Sequence, residues 1–250
     1  MRQSVRVAKR GAQPGRSDDG ALLALFRAIA SRDASEVARR LEASPDLAVH
    51  PIRIGASRDY AKQYFLTVIH HYIYSGDTAL HISAASHERQ LAEALVDRGA
   101  EVRARNRRGA EPLHYASDGG PAAEGWDAGA QREVIEYLIE AGADPNALDN
   151  SGVAPLHRAV RNRCSLAVSA LIDNGADPLL MNKAGSTPLH LASQNTGKSN
   201  SGSEAAKDEQ RRIIDLLLRY GASPTDVDAK GKAAVEVAAS GWIRELLTNH

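Results

Sequence analysis

With 43% hydrophobic and 25% charged residues among 250, the chain has ample material for a folded core, which excludes global disorder. Its 31 basic and 31 acidic residues cancel, which argues against a nucleic-acid protein, since phosphate binding usually leaves a basic domain. No run of about 18 apolar residues suggests a membrane span; the single Cys164 can form no internal disulfide, and the first residues lack the apolar stretch of a signal peptide, so a cytoplasmic location is expected.

In chain order, residues 1–19 read as a flexible basic tail. Ala21 to Ala30 and Ala34 to Leu41 form two helical patterns joined by Ser31-Arg32-Asp33, with Arg39, Arg40 and Glu42 placed to face water. An insertion of about 30 residues follows, Leu47 to Ser75, holding Tyr60, Tyr64, Phe65, Tyr72 and Tyr74. Tyr60, Tyr64, Phe65, Val68, Ile69, Tyr72 and Ile73 recur at helical spacing with Ser57 as an N-cap, yet Phe65 to Tyr74 is β-branched and aromatic enough for a strand. The reading preferred on spacing is a helix over about Arg58 to Ile69, then extended chain. The insertion either plugs the exposed side of the first unit or contacts a ligand.

From Gly76 the chain repeats itself. Gly76, Gly109, Gly152, Gly185 and Gly231 each precede by five residues the last member of a tetrad: Thr78-Ala79-Leu80-His81, Glu111-Pro112-Leu113-His114, Ala154-Pro155-Leu156-His157, Thr187-Pro188-Leu189-His190 and the faded Ala233-Ala234-Val235-Glu236. A second marker, Gly-Ala, starts at Gly99, Gly142, Gly175 and Gly221, always ten residues before the next ladder glycine. All length change lies between tetrad and Gly-Ala: two units keep a 33-residue period, and the others carry insertions of 10 and 13 residues, around 118–131 and 194–209. Threonine caps a helix well and proline at the first helical position loses no hydrogen bond, so each tetrad opens a helix. Ile135, Leu138 and Ile139, or Ile213, Ile214, Leu216, Leu217 and Leu218, mark a second helix that the glycine of Gly-Ala ends. One pair cannot cover its own apolar faces; stacked pairs can.

These tetrads at this period resemble the ankyrin repeat. The resemblance implies an all-α solenoid of helix-turn-helix units with β-hairpin-like fingers: four tetrad-bearing repeats (76–108, 109–151, 152–184, 185–230), a diverged N-terminal capping unit over 20–75 and a C-terminal cap over 231–250. It implies structural tetrad histidines and a non-enzymatic protein-interaction scaffold. Its variable surface falls here on the fingertips Arg107, Arg108, Asn150, Ser151, Lys183, Ala184, Ala229 and Lys230; on the finger returns Arg105, Leu148, Met181 and Val227; and on Asp118, Arg161, Asn162, Gln194 and Asn195 beside the helices.

Arg103, Arg105, Arg107 and Arg108 crowd into six residues, with Arg158, Arg161 and Arg163 one unit later. Arginine grips carboxylate and phosphate bidentately, so this strip suits an acidic protein partner held in the concave groove; the alternative is a solvated face neutralised by Glu101, Asp118 and Asp149. Leu148, Met181 and Tyr115 would add apolar burial. A second class of function is a small-ligand or metal-binding module built from Tyr60, Tyr64, His70, His71, Tyr72, Tyr74 and Trp126 over residues 57–75 and the following loop. His70-His71 with His50 or His87 shows no recognised ligand spacing, Cys164 has no histidine at a motif spacing, and no Walker lysine, dinucleotide loop or Gly-x-Ser-x-Gly elbow occurs. The expectation is no enzyme, cofactor or metal, and a monomer with a protein partner.

Overall fold

Each tetrad opens a short helix, and the histidine that ends it closes the start of that helix from within. In the computed structural model, which describes residues 19–58, 61–121, 126–194, 202–238 and 240–249, the helices are α1 Asp19–Ala30, α2 Ala34–Ala43, α3 Ala79–Ala85, α4 Arg89–Val96, α5 Pro112–Ala116, α6 Ala128–Glu140, α7 Pro155–Arg161, α8 Ser165–Asp173, α9 Pro188–Ala192, α10 Glu204–Arg219, α11 Ala234–Val237 and α12 Gly241–Thr248. The basic tail over 1–18, Tyr60 and Asn195 lie outside the described residues.

Backbone N–H groups of Thr78, Glu111 and Ala154 donate to Nδ1 of His81, His114 and His157 at 3.0–3.2 Å, satisfying a donor that a helix start leaves orphaned. With Nδ1 as acceptor, Nε2 carries the proton, and His81, His114 and His190 give it to the carbonyls of Ala110, Val153 and Lys232 on the following finger. These three histidines are therefore inter-unit bolts. In the last pair Glu236 takes over the capping bond to Ala233 N–H.

Two rows of helices stack along the solenoid. First helices pack in the series α1, α3, α5, α7, α9, α11, and second helices in the series α4, α6, α8, α10. Between the rows lie Leu80, Ile82, Leu113, Leu156, Val160 and Leu189 against Leu95, Val134, Ile135, Leu138, Val168, Leu171, Ile213, Ile214 and Leu217, all fully or almost fully buried. Burying such a side chain contributes about 1.5–3 kcal/mol, which explains why first helices of only five residues, α5 and α9, persist here. The fingers stack too: Arg107 N–H donates to Ser75 O, and Asn150 N–H to Arg108 O. At Gly185, with φ of 76°, a Cβ would stand 2.1 Å from the Ala229 Cβ, so both the turn and the neighbouring finger demand glycine.

The helix-to-helix connection comes in two forms. Where it is short, a residue in the left-handed region makes the turn, Arg32, His87 or Arg163, and its side chain reaches a carbonyl at the end of the next first helix or just beyond it. Where it is expanded, a buried glutamine of the second helix binds the end of its own unit's first helix, sharing carbonyls with the turn residue of the unit before: Gln131 donates to Ala116 O and Asp118 O, and Gln210 to Ala192 O and Gln194 O.

Candidate functional site

The aromatic insertion departs from the helix its spacing suggests. Residues Lys62–Tyr64 make one 3-10 turn, then β1 Phe65–Leu66 and β2 His71–Tyr72 pair antiparallel, with His70 at φ 50° in the turn between them. The physical reason lies across the strands: the paired Phe65 and Tyr72 rings sit 4.7 Å apart, a contact a helix cannot make, and the backbone gains nonlocal partners through Ala56 N–H to Ile73 O and Ile73 N–H to Tyr64 O. Ile52, Tyr64, Leu66 and Ile73 are buried while Val68 and Tyr72 stay exposed, so the insertion seals the first unit on one side and presents a surface on the other.

Between this hairpin and the ends of the first helices lies an open cleft of about 740 Å³. Its floor is a polar network already satisfied from within. Tyr115 Oη donates to the fully buried Asp77 carboxylate at 2.8 Å, Asn106 Nδ2 donates to the same oxygen at 2.8 Å, and Tyr74 N–H to the other at 2.6 Å. Burial, followed by the Asp77 charge, pushes the Tyr115 phenol well above its ordinary pKa, so it remains a donor. The His71 ring stacks on Tyr115 with centroids 4.3 Å apart, and its Nε2 stands 3.5 Å from Asp118 Oδ2.

Arg158 completes the floor. Its side chain, 15% exposed, donates to Asp118 at 2.8 Å and to Asp149 at 3.1 Å, while Asn162 Nδ2 donates to the other Asp118 oxygen. Burial alone would raise the Asp118 carboxyl, but Arg158 and His71 outweigh it and hold it below the usual carboxylate range. The far wall is Trp126, whose ring meets His87 edge-on at 5.1 Å. Burial depresses His87 to about 4, leaving a neutral ring whose Nε2 donates to Ala116 O and Asp118 O.

At the rim Arg108, and beside it Arg107, which does not line the cleft, lie against the Tyr74 ring, 4.9 and 5.4 Å from its centroid. Arg107 also donates to Ala56 O and Arg108 to Tyr74 Oη. Both are exposed, and neither pairs with a described carboxylate. Two other members of the basic strip are committed elsewhere: Arg103 stands near Asp144 and Glu111, and Arg105 donates to Leu148 O; Arg32, outside the strip but lining the cleft, pairs with Glu88. Burial raises the Glu111 carboxyl against the pull of Arg103 and Arg105.

The structure thus gathers His70, His71, Tyr72, Tyr74, Arg108, Tyr115, Asp118, Trp126, Arg158 and Asn162 around one cleft, although sequence divides them between two functions. Two expectations are corrected. Tyr115 is only 1% exposed and offers no apolar surface to a partner, because its hydroxyl is drawn inward by Asp77; Tyr64 packs in the core, away from any ligand. Away from the cleft, Leu148, Met181 and Val227 are 39, 48 and 50% exposed at equivalent positions of successive fingers, with Asn150 and Lys183 near the tips and Arg161 and Gln194 also exposed. Among the described residues no group of three or more His, Cys, Asp or Glu is placed to hold a metal, and no helix is long and apolar enough to cross a membrane. Cys164 is buried and its thiol pushed up to about 12, far from a reactive thiolate.

Asp77 and Asn106 were not singled out from sequence, and His87 only as a metal ligand beside His70-His71. A signal existed: positions after the tetrad histidine are Ile82 and Leu191 in two units but Tyr115 and Arg158 in the others, a polar intrusion that demands buried partners.

A family model described as Ankyrin repeats (3 copies) matches residues 122–202, and a second described as Ankyrin repeat matches residues 75–107 and 184–232, so that together they span more than half of the chain. A search of curated proteins finds no significant match.

Proposed function

The chain belongs to the ankyrin repeat family, whose repeats are generally protein–protein interaction modules, and on that premise we propose that it is a non-enzymatic adaptor acting in the cytoplasm as a monomer. The observation that carries the proposal is the apolar row Leu148, Met181 and Val227, which repeats on consecutive fingers and begins beside Arg105. Large apolar side chains held in register on stacked fingers cost solvation, and since each is about half exposed, burial against a partner would recover about half of the 1.5–3 kcal/mol of full burial. Exposed arginine beside such a row is the composition that protein interfaces favour.

The alternative, a small-ligand or metal module over residues 57–75, draws on the same cleft that the hairpin helps to form. Its carboxylates are already engaged by Arg158, Tyr115 and Asn106, which favours a protein partner over a metal. The test is affinity capture from the native host with the unaltered chain and with Leu148→Asp/Met181→Asp. Partners held by the first and lost by the second support the finger row; identical capture by both overturns it.

A further inference from the structure

We propose that the cleft between the hairpin and the first helices receives a short acidic segment of a protein partner, with an apolar side chain entering it and flanking carboxylates meeting Arg107 and Arg108 at the rim. This rests on the adaptor reading and names the chemistry of one part of the partner.

Charge placement drives the inference. Arg158 in the floor already faces two carboxylates, and Arg32 on the wall is paired with Glu88, so neither has charge to give a ligand. Arg107 and Arg108 are different. Their guanidinium groups rest on Tyr74 and on neutral oxygens, and among the described residues no carboxylate compensates their charge. On the cleft floor the donors of Tyr115, Asn106, Asn162 and His87 are spent on Asp77, Asp118 and backbone carbonyls, so an anion pushed against them would meet groups already engaged. The carboxylates of an occupant therefore belong at the rim.

What belongs inside is apolar. Val68, 67% exposed, and Tyr72, 40% exposed, stand on the hairpin side, and the Trp126 ring stands opposite. The rim is also pre-set. Arg107 N–H is tied to Ser75 O and Arg108 O accepts from Asn150 N–H, so both arginines project from backbone locked between neighbouring fingers. That second bond ties the rim residue Arg108 to the finger carrying Leu148, the first of the apolar row. The two charges beside this cleft, on a chain of zero net charge, suit a few carboxylates rather than a polynucleotide.

The experiment is display selection of short random peptides on the full chain, followed by affinity measurement on the selected peptides by fluorescence anisotropy. Selected peptides should carry carboxylates next to an apolar residue. Their affinity should fall about tenfold or more in Arg107→Ser/Arg108→Ser, and likewise in Val68→Glu, which sets a like charge at an exposed site where misfolding is not a concern. It should also weaken as salt is raised. Circular dichroism verifies that both variants stay folded. Selection of neutral or basic peptides, no selection at all, equal binding of free glutarate, or affinities untouched by both variants would overturn the proposal. Peptides insensitive to these changes but lost with Leu148→Asp/Met181→Asp would overturn the cleft assignment and leave the adaptor reading standing.

Discussion

Two groups of arginines that look alike in the sequence have opposite fates in the fold. Arg158 points into the cleft floor and is held by Asp118 and Asp149, whereas Arg107 and Arg108 sit on a tyrosine ring at the surface and pair with no acid among the described residues. The first is structural charge, consumed by its own chain. The second is charge left over for something else. A basic strip read along a sequence is therefore not a basic surface until the partners of each guanidinium are known, and in a repeat protein those partners come from neighbouring units.

The sharpest way to break this contrast is to remove the arginine from each side. Arg158→Met strips two carboxylates of their shared cation, and breaking a buried pair of this kind costs about 3–5 kcal/mol. Urea unfolding of Arg158→Met should show that loss, and adding Asp118→Asn and Asp149→Asn should restore much of it. An amide oxygen in place of the Asp149 carboxylate would still accept the finger-turn bonds from Ser151 and Val153 N–H that Asp149 accepts. Equal stability of Arg158→Met and the native chain would place Arg158 with the surface arginines after all.

The same arginine reaches the bolts of the solenoid. Burial, then the nearby Arg158 charge, lowers His114 to about 4, so the folded chain keeps it neutral while an unfolded histidine protonates near 6.5. The unfolded state then binds more protons between those values, and stability must fall as pH drops from about 6.5 to about 4, by about 3 kcal/mol for this one group. His81 and His157 are lowered for the same leading reason, burial, and add to the loss. A urea midpoint measured across that range should fall with acid. In Arg158→Met the His114 ring should titrate higher, as read by NMR, since a repelling cation is gone and Asp149 and Asp118 remain; an unmoved or lower value would contradict the coupling.

Tyr115→Phe tests the network beside Arg158. It withdraws one donor from the fully buried Asp77 carboxylate but leaves Asn106 and Tyr74 N–H in place, so a loss of about 1–3 kcal/mol is expected in denaturant unfolding. No loss would mean that the hydroxyl is dispensable and that Asp77 is satisfied by the other two donors.

The frame of this architecture was legible because translation along a solenoid repeats the same constraint. Gly109, Gly152, Gly185 and Gly231 all have φ between 66° and 76°, and the histidines that follow the first three by five residues each bind the residue opening their tetrad through Nδ1. What broke the period was harder to read. The hairpin over 65–72 has strands of only two residues, and its stabilising partners, Ala56 and Ile73 among them, are set by how the insertion folds back rather than by local pattern. The burial of Arg158 was hidden in the same way: Asp118 lies 40 residues before it, inside an expanded loop whose course the spacing does not give. Gln131 and Gln210 escaped notice because nothing along a helix announces that a glutamine must replace a lost turn.

The smallest expected effect separates the two groups of arginines most directly. Arg107→Ser/Arg108→Ser removes two exposed guanidinium groups, their contacts with Tyr74, and side-chain bonds to Ala56 O and Tyr74 Oη. Exposed cation–ring contacts are worth about 0.5–1 kcal/mol at most, and the backbone bonds that tie this fingertip to its neighbours stay intact. Against that loss, the change relieves the repulsion of two adjacent like charges, so the net cost in urea unfolding should stay below about 1 kcal/mol. The measurement matters because of its size relative to Arg158→Met. A loss as large as that of Arg158→Met would show that the rim arginines hold the hairpin to the first finger, and their charge would then serve the fold rather than a partner. A small loss leaves two cations whose placement the fold does not require.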